Sequence, residues 1–474
     1  MNNLNEIGHE RRKFLKRGTL FTALLGSGFW QSTGCEIVAK EGSARNIIFL
    51  VSDGMSSGTL AMADIMLRRR ESRVSHWLRL YEEGRARRAL MDMASANRIV
   101  TCSAAASSSW SCGRRVNNGA VNVGPEGEQY LPIFSIMQDS GKSTGLVTTT
   151  RITHATPAGF AANVEDRNME DEIAIQYLER GVDVLMGGGN RHYDPAQRED
   201  GRDLYTEYRN AGYHVAQHKT EMFWKGSRTN RLLGIFSEGH LPYTLDHINT
   251  PDFMEKIPTL AEMTDIALQK LSNGPNGFII LIEGGRVDHA AHENDIGGLI
   301  YDQIAFDEAI GVVLDFVENR NDTLVIITTD HGNANPGFNS GPDESFDRIQ
   351  HFRHSSAWIQ SGLNEKSTVS QVRDRVYAAT GVEIHNDEAE IYVRSVRRTY
   401  SSVYRRMSGR SSVLGQILAN YTNVNWIGGS HTADYVELCA FGPGSETLKG
   451  FVRNTTIFDL MLKAAGVQEP EIQF

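Results

Sequence analysis

Short apolar segments alternate with longer amphipathic segments along most of the chain. Two segments between the apolar runs, 259–271 and 301–317, are helical candidates, and the second has apolar residues at roughly helical spacing. The apolar runs have the length of buried strands and lie at residues 46–52, 143–150, 183–186, 277–282 and 323–329. This alternation predicts an α/β fold, a doubly wound and mostly parallel sheet flanked by helices.

Residues from about 335 to 425 interrupt this rhythm. They are rich in Arg, Ser and Asp, and we interpret them as an inserted, cap-like region. The catalytic domain is then expected to extend over residues 45–474 and to contain this insertion. Hydrophobic residues make up 40% of the chain and charged residues 22%, which excludes a disordered or fibrous protein. The formal net charge of −10 argues against a general nucleic-acid-binding protein, because phosphate backbones require a basic surface.

The first 44 residues have the pattern of a targeting segment and a linker. Arg11 and Arg12 precede the apolar stretch TLFTALLGSGFW, which is shorter than the roughly 20 residues of a transmembrane helix. The pair predicts recognition by the twin-arginine export machinery and a periplasmic or cell-envelope location. Cys35 ends a sequence similar to a lipoprotein cleavage box, although Ser32 stands where Leu is usual. A lipid anchor at Cys35 therefore stays open.

The cysteine content does not indicate a disulfide framework. The chain has four cysteines, and Cys102 and Cys112 are ten residues apart in a segment interpreted as helical. A helix rises about 1.5 Å per residue, which would separate them by roughly 15 Å, more than the ~7 Å between Cα atoms that a disulfide can span. We expect no disulfide between them.

Several polar residues with metal-binding side chains follow the predicted strands. In an open α/β sheet, ligands bind beyond the carboxyl ends of the strands, so these side chains converge if the strands are neighbours. A single Asp after a strand is commonly a helix cap, but caps do not account well for four strand ends together. The residues concerned are Asp53, His154, Thr156, Glu283, Asp288, His292, Asp330 and His331. The sequence therefore predicts a metal site at this edge.

The spacing of these residues suits metal binding. Asp288 and His292 are four residues apart, which places both on one face of a helical turn. Gly332 follows Asp330 and His331 and gives the backbone freedom for a sharp turn. Carboxylate and imidazole ligands suit zinc, whereas a site with Asp, Glu and a Thr hydroxyl suits magnesium.

A further segment, VTCSAAASSSWSCG at residues 100–113, places a serine among small residues at the start of a predicted helix. The N-terminus of a helix carries a partial positive charge, which suits an anionic ligand near the hydroxyl. On its own such a segment more often reflects packing.

Together these segments resemble the alkaline phosphatase family over nearly the whole chain after residue 45. The resemblance rests on NIIFLVSDGM, VTCSAAASSSWSCG, THATPAGFAANVEDR, DVLMGGG, GIFSEGHLPYTLDH, IEGGRVDHAAHEND, TTDHG and GGSHTADYVELCAFGPGS. It implies a broad-specificity phosphate monoester hydrolase with Ser103 as the nucleophile and Arg167 as the phosphate clamp. It also implies one zinc held by Asp288, His292 and His431, a second held by Asp53, Asp330 and His331, and a magnesium held by Asp53, Thr156 and Glu283.

The implied ions account for phosphate binding by an acidic protein. Three divalent ions, four carboxylates and Arg167 leave a charge of about +3 in the cleft. Two departures from the familiar bacterial enzyme are apparent. Cys102 stands where that enzyme has Asp, and a neutral thiol cannot hold Arg167 by ion pairing, so the clamp is expected to be looser. His154 and His289 match the animal enzymes, and an imidazole beside the third ion would favour zinc over magnesium.

Two alternatives and one structural question stay open. A phosphodiesterase of the same superfamily would use a similar site, and a noncatalytic metal- or phosphate-binding protein would lack a ligand or the nucleophile. A sulfatase is excluded because Cys102 is followed by Ser-Ala-Ala rather than by a Cys-x-Pro-x-Arg motif. Many family members are dimers, and a homodimer is consistent with the sequence.

Overall fold

The computed structural model describes residues 44–224 and 229–469. The strands, in chain order, are β1 (Asn46–Val51), β2 (Arg87–Asp92), β3 (Ser143–Arg151), β4 (Val184–Gly188), β5 (His214–Ala216), β6 (Leu232–Ile235), β7 (Phe278–Glu283), β8 (Thr323–Thr328), β9 (Gly332–Asn333), β10 (Gly337–Phe338), β11 (Val424–Asn425), β12 (His431–Thr432), β13 (Val436–Phe441) and β14 (Phe451–Arg453). Ten of them form one large sheet, and the four shortest form two pairs, β9 with β12 and β10 with β11.

The large sheet has the strand order β14-β2-β13-β8-β1-β7-β3-β4-β6-β5. β1 lies at its centre and pairs in parallel with both β7 and β8. β13 runs antiparallel to its neighbours β2 and β8. The first strand, β1, thus lies in the middle of the sheet, and later strands are added on both sides of it. This arrangement confirms the predicted doubly wound, mostly parallel sheet.

The central strands are buried on both faces, which explains their uninterrupted apolar sequences. Alternate residues of β1 point to opposite faces. Ile48 and Leu50 belong to one hydrophobic core, whereas Ile47, Phe49 and Val51 belong to the other. Helices cover both faces, so the ends of the strands, rather than the faces, are available for chemistry.

The helices, in chain order, are α1 (Ser57–Glu71), α2 (His76–Glu82), α3 (Ser103–Cys112), α4 (Ile133–Asp139), α5 (Ala155–Ala161), α6 (Glu170–Glu179), α7 (Leu204–Asn210), α8 (Lys219–Met222), α9 (Thr244–Asn249), α10 (Pro251–Lys256), α11 (Leu260–Leu271), α12 (Arg286–His292), α13 (Ile296–Val317), α14 (Asp343–Asp347), α15 (Ser356–Ser361), α16 (Val369–Thr380), α17 (Asn386–Val396), α18 (Arg410–Thr422) and α19 (Thr456–Ala465). The predicted helix at 259–271 is α11, and Thr259 caps its first turn by accepting from the N–H of Glu262.

The region at about 335–425 contains α14 to α18 and the β10–β11 pair. Its apolar side chains do not form a separate core. Ile349, Val372 and Leu414 belong to the same hydrophobic cluster as Ile300 of α13. The region is thus packed onto one face of the sheet, and its description as an insertion stays a prediction.

The predictions for the N-terminal segment, including the twin-arginine pair and Cys35, lie outside the described residues. Within the part of the chain that the structure describes, no helix is long and apolar enough to cross a membrane. The thiols of Cys102, Cys112 and Cys439 are free, as expected for the first two.

Candidate metal centre

The carboxyl ends of the central strands bring the predicted metal ligands to one edge of the sheet. In the pairing register, Val51 at the end of β1 lies opposite Glu283 of β7 and Thr328 of β8. The chain continues from β1 to Asp53 and from β8 to Asp330, both fully buried. These carboxylates therefore meet at the same level of the sheet.

The first group of ligands consists of Asp288, His292 and His431. α12 places Asp288 and His292 one helical turn apart, and His292 Nε2 lies 3.3 Å from Asp288 Oδ2. β12 supplies His431, whose Nε2 lies 3.6 Å from Asp288 Oδ1. The potential ligand atoms of all three residues lie within 4.8 Å of one another. The four-residue spacing of Asp288 and His292 thus places both side chains in one group, and His431 joins them from a segment distant in sequence.

Two backbone carbonyls orient the imidazoles of the first group. His292 Nδ1 lies 3.0 Å from the carbonyl oxygen of Gly429, and His431 Nδ1 lies 3.0 Å from that of Thr101. If each Nδ1 donates its hydrogen there, each Nε2 keeps a lone pair, and these two nitrogens face each other at 3.0 Å. Two lone pairs at that distance repel unless a cation lies between them. The donor set therefore fits a divalent ion.

The second group consists of Asp53, Asp330 and His331, which are 0%, 0% and 1% exposed. His331 Nε2 lies 3.1 Å from Asp330 Oδ2 and 3.6 Å from Asp53 Oδ1. Burial and the charge of Asp330 raise the pKa of Asp53 well above its ordinary value. Asp53 Oδ1 and Asp330 Oδ2 have no hydrogen-bond partner. Buried carboxylates in this state are stabilised by a cation.

The third group consists of Asp53, His154 and Glu283, so Asp53 belongs to two groups. Each member has a buried atom without a hydrogen-bond partner, namely Asp53 Oδ1, His154 Nδ1 and Glu283 Oε1. Thr156 Oγ1 lies 3.5 Å from Asp53 Oδ2. Burial raises the pKa of Glu283 to about 7. Unpaired oxygen and nitrogen atoms converging on one point fit a third cation.

Ser103 lies beside the second group. It is the first residue of α3 and is 2% exposed, and its Oγ lies 3.4 Å from His331 Nε2. α3 has ten residues, all buried, and its run of Ser and Ala side chains lets the helix pack closely against α5. The hydroxyl is thus held at a helix N-terminus next to buried ligands.

Arg167 reaches the same cleft from the loop between α5 and α6. Its Nη2 donates to His154 Nε2 at 2.8 Å, and its backbone N–H donates to the carbonyl of Gly119 at 2.7 Å. The N–H of Gly119 in turn donates to Cys102 Sγ at 3.2 Å. The guanidinium is therefore held by an imidazole, and Cys102 acts on it only through the backbone of Gly119.

His289 lies in a cluster of three imidazoles at one side of the cleft. Its ring centroid is 5.7 Å from that of His154 and 4.3 Å from that of His240. Arg286 Nη1 donates to His289 Nδ1 at 2.7 Å. Burial and the neighbouring cations lower the pKa values of all three histidines. The cluster therefore supplies neutral rings rather than positive charges.

Sequence reasoning missed several residues that hold the ligands. Thr148 Oγ1 donates to Glu283 Oε2, and Asn333 Nδ2 donates to Asp288 Oδ1 at 2.7 Å. His240 also escaped notice. The Thr148-Thr149-Thr150 run at the end of β3 is the one signal that pointed to Thr148, because polar residues ending an apolar strand are unusual.

Comparisons with known proteins agree with this architecture. A family model described as alkaline phosphatase matches residues 44–467. Alkaline phosphatase 3 of Bacillus subtilis is 31% identical over 382 residues, which is 77% of each chain. The crystal structure of Thermus thermophilus alkaline phosphatase superposes with a TM-score of 0.85 at 34% identity and covers 94% of this chain and 96% of its own.

A more distant structure shares the fold. A variant of alkaline phosphatase from the Antarctic bacterium TAB5, with magnesium bound in the M3 site, is 23% identical. It has a TM-score of 0.65 and covers 91% of this chain and 100% of its own. Given the extent of the family match, the chain belongs to the alkaline phosphatase family. Its enzymatic class is that of the family, phosphomonoester hydrolysis.

Proposed function

We propose that this enzyme hydrolyses a broad range of phosphate monoesters through a phosphoserine intermediate at Ser103. The observation that carries the proposal is the position of Ser103 Oγ, 3.4 Å from His331 Nε2 and at the N-terminus of α3. The hydroxyl is next to the second ligand group and faces the partial positive charge of the helix. A nucleophile at this position lies beside the ion that the second group would hold.

The three ligand groups support a proposal of three ions. We propose zinc at Asp288, His292 and His431 and a second zinc at Asp53, Asp330 and His331, because each set combines carboxylate with imidazole. The third ion is proposed as magnesium at Asp53, Thr156 and Glu283, or zinc if His154 ligates it. Divalent ions in such sites stabilise charge on phosphoryl oxygens and acidify a bound hydroxyl.

The chain's own residues define the reaction. Ser103 Oγ attacks phosphorus and loses its proton to solvent while the bond from phosphorus to the ester oxygen breaks, and the leaving oxygen takes up a proton from solvent and departs as the alcohol. Water then attacks the phosphoserine, which returns the Ser103 hydroxyl and releases inorganic phosphate. Arg167 can hold two nonbridging oxygens with its planar guanidinium. The four carboxylates alone would repel phosphate, so binding depends on the cations that they hold.

A pair of adjacent substitutions tests the nucleophile. Cys102 precedes Ser103, and a thiolate is the stronger nucleophile of the two at neutral pH. Ser103→Ala should abolish the acid-trapped phosphoenzyme and most of the turnover of an aryl phosphate. Cys102→Ala is the matched control and should keep both. The opposite pattern would assign the covalent step to Cys102.

The same preparations separate the monoesterase from the alternatives. Parent protein with zinc and magnesium should hydrolyse an aryl phosphate monoester much faster than a bis-aryl phosphate diester. A preference for the diester would indicate a phosphodiesterase, and the absence of turnover with full metal content would indicate a noncatalytic binding protein. Export by the twin-arginine route, a lipid on Cys35 and a homodimer remain proposals from sequence and family.

A further inference from the structure

His154 lies between the third ligand group and Arg167. One of its ring nitrogens, Nε2, is 2.8 Å from Arg167 Nη2. The other, Nδ1, has no hydrogen-bond partner, although the residue is only 8% exposed. In the third group, Asp53 Oδ1 and Glu283 Oε1 are also buried and also lack a hydrogen-bond partner. The two edges of one ring thus serve two different parts of the site.

The contact with Arg167 determines where the ring hydrogen is. A guanidinium has five N–H donors and no acceptor, so His154 Nε2 must accept with its lone pair. A neutral imidazole with a lone pair on Nε2 carries its hydrogen on Nδ1. Nδ1 therefore has no lone pair for an ion while the Arg167 contact exists.

Ligation of an ion by His154 is incompatible with that contact through either nitrogen. If Nδ1 ligates, the ring hydrogen moves to Nε2 and points at the N–H groups of Arg167. If Nε2 ligates, its lone pair is no longer available to accept. In both cases Arg167 loses the partner that the structure gives its side chain.

We propose that His154 is a positioning residue that makes binding of a divalent cation at Asp53, His154 and Glu283 and retention of Arg167 on His154 mutually exclusive. The proposal rests on the proposed function and adds regulation to it. Ligation of the ion by His154 releases the Arg167 guanidinium, which can then donate to phosphate. Because linkage is reciprocal, phosphate that engages Arg167 should in turn favour the cation in the third group.

The size of the coupling between cation binding and phosphate binding follows from the hydrogen bond between Arg167 and His154 that is broken. A hydrogen bond to a charged group contributes enough to change an equilibrium constant by about tenfold to a hundredfold. The charge of the cation also attracts phosphate directly, and this part does not depend on His154. The experiment must therefore separate a through-space effect from the loss of the His154 contact.

Zinc affinity of the third group, measured without turnover, provides that separation, because zinc is the ion proposed where His154 ligates. Protein loaded with zinc at the first two groups is titrated with further zinc by calorimetry, and the parent is compared with Arg167→Gln. Removing the guanidinium should raise the affinity for this third zinc about tenfold or more, because His154 is then free to ligate. The same comparison in a His154→Asp background is the matched control. A carboxylate can ligate with one oxygen and accept from Arg167 with the other, so Arg167→Gln should matter much less there.

Phosphate binding supplies the second readout. The third zinc should lower the phosphate dissociation constant of the parent by a larger factor than that of Arg167→Gln. Equal effects of Arg167→Gln on the affinity for the third zinc in the parent and in the His154→Asp background would overturn the coupling while leaving the third group intact. Failure of zinc-loaded parent to bind a third zinc or magnesium would overturn the third group of the proposed function, and the coupling with it.

Discussion

Replacing Gly54 with alanine tests how tightly two ligand groups are packed against each other. Gly54 follows Asp53, has a φ of +69°, and donates its N–H to Asp330 Oδ1 at 2.9 Å. A Cβ built at this position would lie 2.4 Å from Asp288 Oδ1 and 2.8 Å from Asp288 Cα. Ordinary contacts of a Cβ begin at 3.4 Å, so the carboxylate of Asp288 has to move by about 1 Å.

Two costs are expected from Gly54→Ala. The left-handed backbone conformation costs alanine about 1–2 kcal/mol. The displacement of Asp288 opens the first ligand group, and disturbing groups that orient ligands typically weakens metal binding by about 10- to 100-fold. Gly381 offers a matched control, because it has the same φ of +69° but nothing within 4 Å of its Cβ position.

The assay measures zinc affinity in zinc-buffered solutions and the free energy of unfolding of the metal-free proteins. Gly381→Ala should lose stability by the backbone cost alone and bind zinc like the parent. Gly54→Ala should lose stability and bind zinc more weakly, with turnover recovering at high zinc. Parent-like zinc affinity in Gly54→Ala would refute the reasoning, and so would equal weakening in Gly381→Ala, which would assign the effect to the backbone.

Two further predictions concern Cys102 and Asp302. Cys102→Asp places a carboxylate where the thiol now accepts from the N–H of Gly119. The new negative charge should hold Arg167 in place and so lower the inhibition constant of inorganic phosphate. An unchanged inhibition constant would contradict the idea that the lack of a carboxylate at position 102 loosens Arg167. Burial raises the pKa of Asp302 to about 7, against about 3.9 when unfolded. The contribution of Asp302 to the free energy of unfolding therefore falls as pH rises from 4 to 7, by up to about 4 kcal/mol. Asp302→Asn can still bond Thr244, and its stability relative to the parent should increase over that range in urea titrations; a difference independent of pH would disprove it.

The central strands were predictable because a strand that is buried on both faces has an uninterrupted run of apolar residues in the sequence. β1 and β8 end within a residue of the predicted limits. β2, with the sequence RRALMD, and β14, with FVR, were not predicted, because these strands carry exposed and charged positions. α13 begins at Ile296 rather than at 301, since two glycines follow Ile296 and obscure the cap that Asp295 provides.

Most of the candidate ligands were predictable for a similar reason, because they follow strands that the sequence reveals. His431 lies on the two-residue strand β12 and was expected only from the family resemblance. The residues that support the ligands were not predictable, because these depend on register between segments distant in sequence. Thr148 reaches Glu283 because the two are paired residues of β3 and β7. The contact between Arg167 and His154 depends on two loop conformations, and no local pattern in the sequence encodes it.

The position of His431 has a consequence for the order in which the protein can mature. His431 lies on β12, which pairs with β9, and its ring contacts the carbonyl of Thr101, 330 residues earlier in the chain. All the residues that precede His431 must be synthesised before this contact can form. The first ligand group can therefore close only after β12 has been synthesised. Binding of an ion there would stabilise the folded protein and give no advantage to a chain that ends before His431.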